Sequence, residues 1–239
     1  MSISTNYLKI RQEIPKGVTI VLSVKTRTVE QIEEAINAGV TDIGQNYVQE
    51  AGQMYSSLQK KAAKVRWHMI GHLQTNKINK ALRIFDVIQT VDSLEKAAAI
   101  DKRVEKAAKK IVPVYIEINI GNEDSKAGIK PEEHEPFEEY IEKLVRDMSD
   151  LSHLRLTGLM TMGPRFGNPE DARPYFRRTR KIFERIKGLN LPNVDMKYLS
   201  MGMTNSYKVA IEEDSNMVRI GTAIFGKREC DIGENGRQY

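Results

Sequence analysis

The chain has 239 residues, 40% of them hydrophobic and 29% charged, with a formal net charge of +5 and a single cysteine, Cys230. That length can bury a core without disulfides, and one cysteine excludes an internal disulfide framework and argues against a cysteine-based metal centre. No apolar stretch reaches membrane-spanning length, and Met1-Ser-Ile-Ser-Thr-Asn6 lacks the charged and apolar regions of a signal peptide, so a soluble, cytoplasmic protein is expected.

A short helix is expected over residues 4–13, ended near Pro15-Lys-Gly17. Val18-Thr-Ile-Val-Leu-Ser-Val-Lys25 is then a β-branched and aliphatic run of strand length, and a helical pattern starts at Val29. A continuously apolar run leading straight into a helix reads as a buried parallel strand of a β/α unit. Lys25 therefore stands at the carboxyl end of a strand. It is either the first polar residue past the strand, facing water, or a partly desolvated amine that can act as a nucleophile.

Strand and helix patterns alternate from there. A strand at Asp42-Ile-Gly44 leads to a helix from Val48 to about Lys60, and Val65-Arg-Trp-His-Met-Ile-Gly71 to a helix from about Asn76 to Leu82. Asp86–Val91 is followed by a helix that Ser93 caps and that runs to about Lys109. Val112–Asn119 is the strongest strand, and Pro131-Glu-Glu is expected to open the next helix, with proline in the first turn and acids at the positive end of the dipole. Leu154–Met162 precedes a helix from about Pro169 to Lys187. Its cluster Arg177-Arg178-Thr-Arg180-Lys181 is the one dense basic stretch; elsewhere acids and bases interleave as on solvated helix faces, so no nucleic-acid partner is expected. Tyr198-Leu-Ser200, a short helix at Tyr207–Glu212, and Met217–Ile220 complete the series.

Eight β/α repeats without a linker predict one α/β domain over residues 1–239, a closed (β/α)8 TIM barrel with a short N-terminal helix and a polar tail from about residue 227. No glycine-rich dinucleotide fingerprint follows the first strand, which weighs against an open sheet. In such a barrel the working groups gather at the carboxyl ends of the strands. Ser200-Met201-Gly202 and Gly221-Thr222 end the last two strands, where such barrels hold phosphate, and exposed backbone N–H groups with hydroxyls make an anion cradle. Tight turns use the same residue types. Arg219, just before Gly221, would face the same ligand, and an amine with an anion cup and an arginine suits a phosphorylated aldehyde held as a Schiff base. Asn46 is either a hydrogen-bonding partner of that ligand or a helix cap. No histidine pair has metal-ligand spacing; His68, Trp67, Met69 and Met162 read as core.

These motifs resemble those of the pyridoxal phosphate homeostasis proteins, also called the proline synthetase co-transcribed family. The resemblance rests on Val21-Leu-Ser-Val-Lys25, Gly44-Gln-Asn-Tyr-Val-Gln-Glu50, Trp67-His-Met-Ile-Gly-His-Leu-Gln-Thr-Asn-Lys77, Asp124-Ser-Lys-Ala-Gly128, Gly158-Leu-Met-Thr-Met162, Leu199-Ser-Met-Gly-Met203 and Val218-Arg-Ile-Gly-Thr-Ala-Ile-Phe-Gly226, in family order. It implies a barrel of the alanine-racemase type with pyridoxal 5′-phosphate (PLP) on Lys25 as an internal aldimine. It further implies phosphate contacts from Ser200, Gly221 and Thr222, Arg219 at the pyridine nitrogen, Asn46 near the ring, and Met201-Gly202 lining the cup. Gln45 stands where the family often has Glu, Val24 where Ser is expected, and Thr204-Asn-Ser206 where Ser and an acid are usual.

The function implied is PLP binding in vitamin B6 and amino-acid homeostasis, without robust catalysis, by a monomer whose expected recipients are PLP-dependent apo-enzymes. Two other classes stay open: a weak racemase-like enzyme, and a cofactor-free aldolase using the Lys25 amine. Lys126 and Lys77 are open as secondary cofactor lysines.

Overall fold

The computed structural model describes residues 2–107, 111–124, 126–163 and 167–226. The β-branched and aliphatic runs form eight parallel strands: β1 (Thr19–Ser23), β2 (Asp42–Gln45), β3 (Arg66–Met69), β4 (Val87–Val91), β5 (Val112–Ile118), β6 (Leu154–Thr161), β7 (Val194–Ser200) and β8 (Met217–Ile220). Each pairs with the next, and β8 closes on β1 with Val21 beside Arg219. Closure leaves no open edge, as expected for the (β/α)8 barrel.

Outside lie α1 (Ile3–Glu13), α2 (Val29–Asn37), α3 (Val48–Leu58), α4 (Ile78–Ala81), α5 (Leu94–Lys106), α6 (Phe137–Ser149), α7 (Arg173–Lys187), α8 (Tyr207–Glu212) and α9 (Thr222–Phe225). Local chemistry starts several of them. Thr28 and Gln31 form a reciprocal capping box at α2, and the Ser93 hydroxyl accepts from Lys96 N at α5. Three expected boundaries shift. Pro131–Glu133 is a separate 3-10 turn and α6 starts only at Phe137, because Pro136 lacks an N–H and restrains the residue before it from helical geometry. A 3-10 turn over Thr75–Lys77 occupies the first part of the helix expected from Asn76, and another at Pro169–Ala172 precedes α7. The polar tail from residue 227, Cys230 within it, and the expected helix end at Lys109 lie outside the described residues.

Side chains alternate between two apolar cores. Outward residues such as Leu22, Ile43, Trp67, Ile88, Ile116 and Leu199 pack against the helices, while Val21, Val87, Tyr115, Met160 and Met217 fill the barrel. Trp67 and Met69 belong to the outer core and Met162 packs on the inner one, as the sequence suggested. The basic face of α7 is met by acids: Arg178 by Glu138 at 2.9 Å, Arg185 by Glu142 at 2.8 Å, Arg177 by Glu213 at 3.0 Å, and Arg180 by Asp214. No helix among the described residues is long and apolar enough to cross a membrane.

Candidate ligand site at the barrel mouth

Lys25 follows β1 with the inward parity of Val21, which belongs to the inner cluster. It is half-buried, and its Nζ lies 5.0 Å from the centre of the exposed Tyr47 ring. The chain then turns sharply at Thr26, whose φ of 61° is unusual for a β-branched residue, and Thr26 Oγ1 donates to the Lys25 carbonyl. Strain of this kind at a strand end is a mark of functional loops.

Asn46 follows β2 with the same inward parity, and the register that sets Ser23 beside Gly44 brings it level with Lys25. Its backbone N–H donates to Gln45 Oε1 at 2.7 Å, and it does not cap α3, whose cap position is Tyr47 without a side-chain bond. Gly71 explains part of the motif after β3. A Cβ there would stand 2.4 Å from the Asn46 carbonyl oxygen, so only glycine lets the two loops touch.

Across the mouth, Gly202 has a φ of 91°, and a Cβ on it would meet Ala210 at 2.6 Å. Gly221 lies against Ser23, and α9 begins at Thr222, its first N–H groups without acceptors inside the helix. Thr204, which sequence reasoning passed over as a family difference, joins the two loops: its Oγ1 accepts from Ala223 N at 3.4 Å. These groups form a donor-rich rim suited to an anion.

Two of the expected ligand residues lie below or behind this rim. Ser200 is fully buried below the rim, donating to Gln89 Oε1 and accepting from Arg219 Nη1, so it faces the barrel interior rather than the cradle. Met201 turns its side chain to the outer core, its N–H donates to Met217 O and its carbonyl accepts from Ser215 Oγ. In both cases strand alternation decides: Ser200 is the last inward residue of β7, and Met201 follows it with the opposite parity.

Arg219 rises from β8 with its guanidinium buried. Nη1 donates to Ser200 O and Oγ, both at 2.8 Å, and Nη2 to Thr161 O at 2.8 Å. No carboxylate of the described residues forms an ion pair with it, and burial pulls its basicity down to about 10, still far above neutrality. It remains a cation that can only donate. Sequence reasoning missed a second buried group, Glu117, on the inward face of β5. The residue is 3% exposed and its Oε2 has no hydrogen-bond partner. Burial, and then the charge of Asp92, pushes its carboxyl up to about 7. The signal was an acid at an inward position of the most apolar strand.

His68 is a buried core residue, bonded to Asp42 and Gln89, and His72 lies 3.7 Å from Asp92 at the surface. No cluster of three His, Cys, Asp or Glu that could hold a metal occurs among the described residues. Lys126 is engaged by Glu123 and by Gly163 O.

The profile of the alanine racemase N-terminal domain matches residues 1–229. The chain is 38% identical to a pyridoxal phosphate homeostasis protein of Aquifex aeolicus over 86% of its length and 85% of that protein. It is 34% identical to the protein of that name from Escherichia coli K12, over 90% and 88% of the two chains. In structure it resembles PipY of Synechococcus elongatus, solved with PLP bound, at a TM-score of 0.83 and 26% identity, covering 94% of this chain and 100% of that one. Alanine racemase of Clostridium difficile shares the fold at a TM-score of 0.73 and 14% identity, over 95% of this chain and 56% of the racemase.

Proposed function

Because the chain belongs to the alanine racemase N-terminal domain family, among the pyridoxal phosphate homeostasis proteins, we propose that it binds PLP at the barrel mouth and holds it as a Schiff base on Lys25. The observation that supports this reading is that the adjacent strands β7, β8 and β1 carry, at or near their carboxyl ends, a glycine-built rim, a buried guanidinium with no ion pair among the described residues, and the Lys25 amine.

The chain's own residues fit the group. The rim formed by Gly202, Thr204, Gly221 and Thr222 suits a phosphate, and Gly202 occupies a space that a Cβ would fill. Arg219 is a pure donor and suits an unprotonated ring nitrogen, while Asn46, held by Gly71, borders the ring. When bound, PLP supplies an aldehyde that condenses with amines and a ring that draws electrons from the adduct. An arginine at the ring nitrogen weakens that electron withdrawal, which favours holding the cofactor over turning over amino acids. The biological output would be PLP and amino-acid homeostasis in the cytoplasm, by a monomer that passes PLP to apo-enzymes.

One observation favours a second reading, a weak racemase-like enzyme: a buried carboxyl poised near neutrality is the kind of group that moves protons, and Glu117 is one. The absorption spectrum of the wild type beside Lys25→Ala tests the first reading. A yellow band bleached by borohydride and missing in Lys25→Ala is expected, and a wild type colourless after added PLP would refute it. Exchange of the α-hydrogen of alanine into deuterated water, lost in both Lys25→Ala and Glu117→Gln, would favour the enzyme.

A further inference from the structure

Below the mouth, five buried polar side chains form one unbroken line. Arg219 Nη1 donates to Ser200 Oγ at 2.8 Å, and Ser200 Oγ donates to Gln89 Oε1 at 2.7 Å. Gln89 Nε2 then donates to His68 Nδ1 at 2.9 Å, and His68 Nε2 to Asp42 Oδ1 at 2.8 Å. Their exposures run from 0% to 7%. The line visits β8, β7, β4, β3 and β2, and its step from β7 to β4 crosses the barrel lumen, since those strands are not neighbours.

The two ends set its direction. A guanidinium only donates and a carboxylate only accepts, so a line between them polarises in one sense with no added proton. His68 then carries its hydrogen on Nε2, and each bond strengthens the next. At the far end Asp42 is steadied by Thr41 Oγ1 at 2.7 Å and by Arg66 at 3.9 Å. Glu117 acts on Arg219 through space but makes no hydrogen bond or ion pair with it, so this line is the hydrogen-bonded connection of Arg219 to a carboxylate.

We propose that Asp42, His68, Gln89 and Ser200 are positioning residues, a one-way relay that fixes the direction of the Arg219 guanidinium beneath the cofactor and ties it to the Asp42 carboxylate. The proposal rests on the placement of Arg219 at the PLP ring argued above. Each of the four acts through Arg219. Filling the lumen would need only aliphatic side chains, as most barrels use, so the relay is not explained by packing.

The test uses the full chain with ¹⁵N-labelled histidine. In the apo-protein, His68 is expected to show a protonated Nε2 and a bare Nδ1. Ser200→Ala, two bonds away, is expected to shift both resonances, and so is PLP added to the wild type. Ile186→Val, in the outer core on α7 and away from the line, leaves them in place. Titration with PLP should show about tenfold weaker binding and a displaced visible band in Ser200→Ala, as for loss of a bond to a charged group. Gln89→Met, which cuts the line at its middle, should match it, and far-UV circular dichroism reports whether each variant is folded. A His68 protonated on both nitrogens overturns the relay, as does a His68 that ignores Ser200→Ala. A wild type that never turns yellow overturns the cofactor reading and with it the relay's purpose; a yellow wild type with a silent His68 overturns the relay alone.

Discussion

Replacing Glu117 by glutamine turns a buried titration into a measurable change in stability. Burial raises this carboxyl from an ordinary 4.5 to about 7. Between those pH values the unfolded chain releases the proton and the folded chain keeps it. The folded state therefore binds more protons, and stability falls as pH rises through the window. At ~1.4 kcal/mol for each pH unit, the gap corresponds to about 3 kcal/mol by the time pH passes 7. Glutamine cannot lose that proton. Glu117→Gln should match the wild type near pH 4.5, gain on it steadily, and stand about 3 kcal/mol more stable at pH 8. Urea denaturation of the cofactor-free protein at pH 5, 6, 7 and 8 gives the difference directly. A difference that stays flat across this range would refute the reasoning, because it would mean that the folded chain ionises Glu117 as readily as water does.

Three other substitutions probe the scaffold of the site. Gly202→Ala forces a side chain into left-handed geometry with a Cβ 2.6 Å from Ala210; it should lower stability by at least about 2 kcal/mol and weaken PLP binding, and an unchanged melting temperature would contradict it. Gly71→Ala presses on the Asn46 backbone rather than on a movable side chain, so a loss of about 1–3 kcal/mol is expected, with weaker PLP binding in equilibrium dialysis; full retention of both would show that the loops part freely. Trp67→Phe removes the indole that donates to Ala62 O at 3.0 Å in the outer core. Its urea midpoint, followed by circular dichroism, should fall with a loss of about 1–3 kcal/mol, and no shift would mean that water reaches the freed carbonyl.

The barrel was legible in the sequence because strand patterns recur eight times and each is short, apolar and followed by a helix. The boundaries of α8 and β8 match the expected Tyr207–Glu212 and Met217–Ile220. The start of α6 was misread because Pro131-Glu-Glu carries the marks of a first turn, while the second proline five residues on reset the geometry. At the barrel mouth, the inward parity of Lys25, Asn46 and Arg219 followed from where the strands were expected to run. The opposite directions of Ser200 and Met201 were not read, because treating a loop as a string of small residues ignores the parity that sends one inward and the next outward. Thr204 and Glu117 were missed for a related reason: one acts across a loop of another strand, the other from below the strand end, and neither relation is local in sequence.

Barrel closure also sets when the site can exist. Lys25 follows the first strand and Arg219 lies on the last, and they are brought to the same side of the barrel only through the β1–β8 pairing, which sets Arg219 beside Val21. On a ribosome adding about 5–20 residues each second, the 194 positions between them (219 minus 25) correspond to about 10–40 seconds of synthesis. During that interval the amine is present without its cation or its anion rim. On the proposed reading, loading with cofactor is an event of the closed barrel, and a protein truncated before β8 would carry the lysine and most of the strands without Arg219 or the last part of the rim.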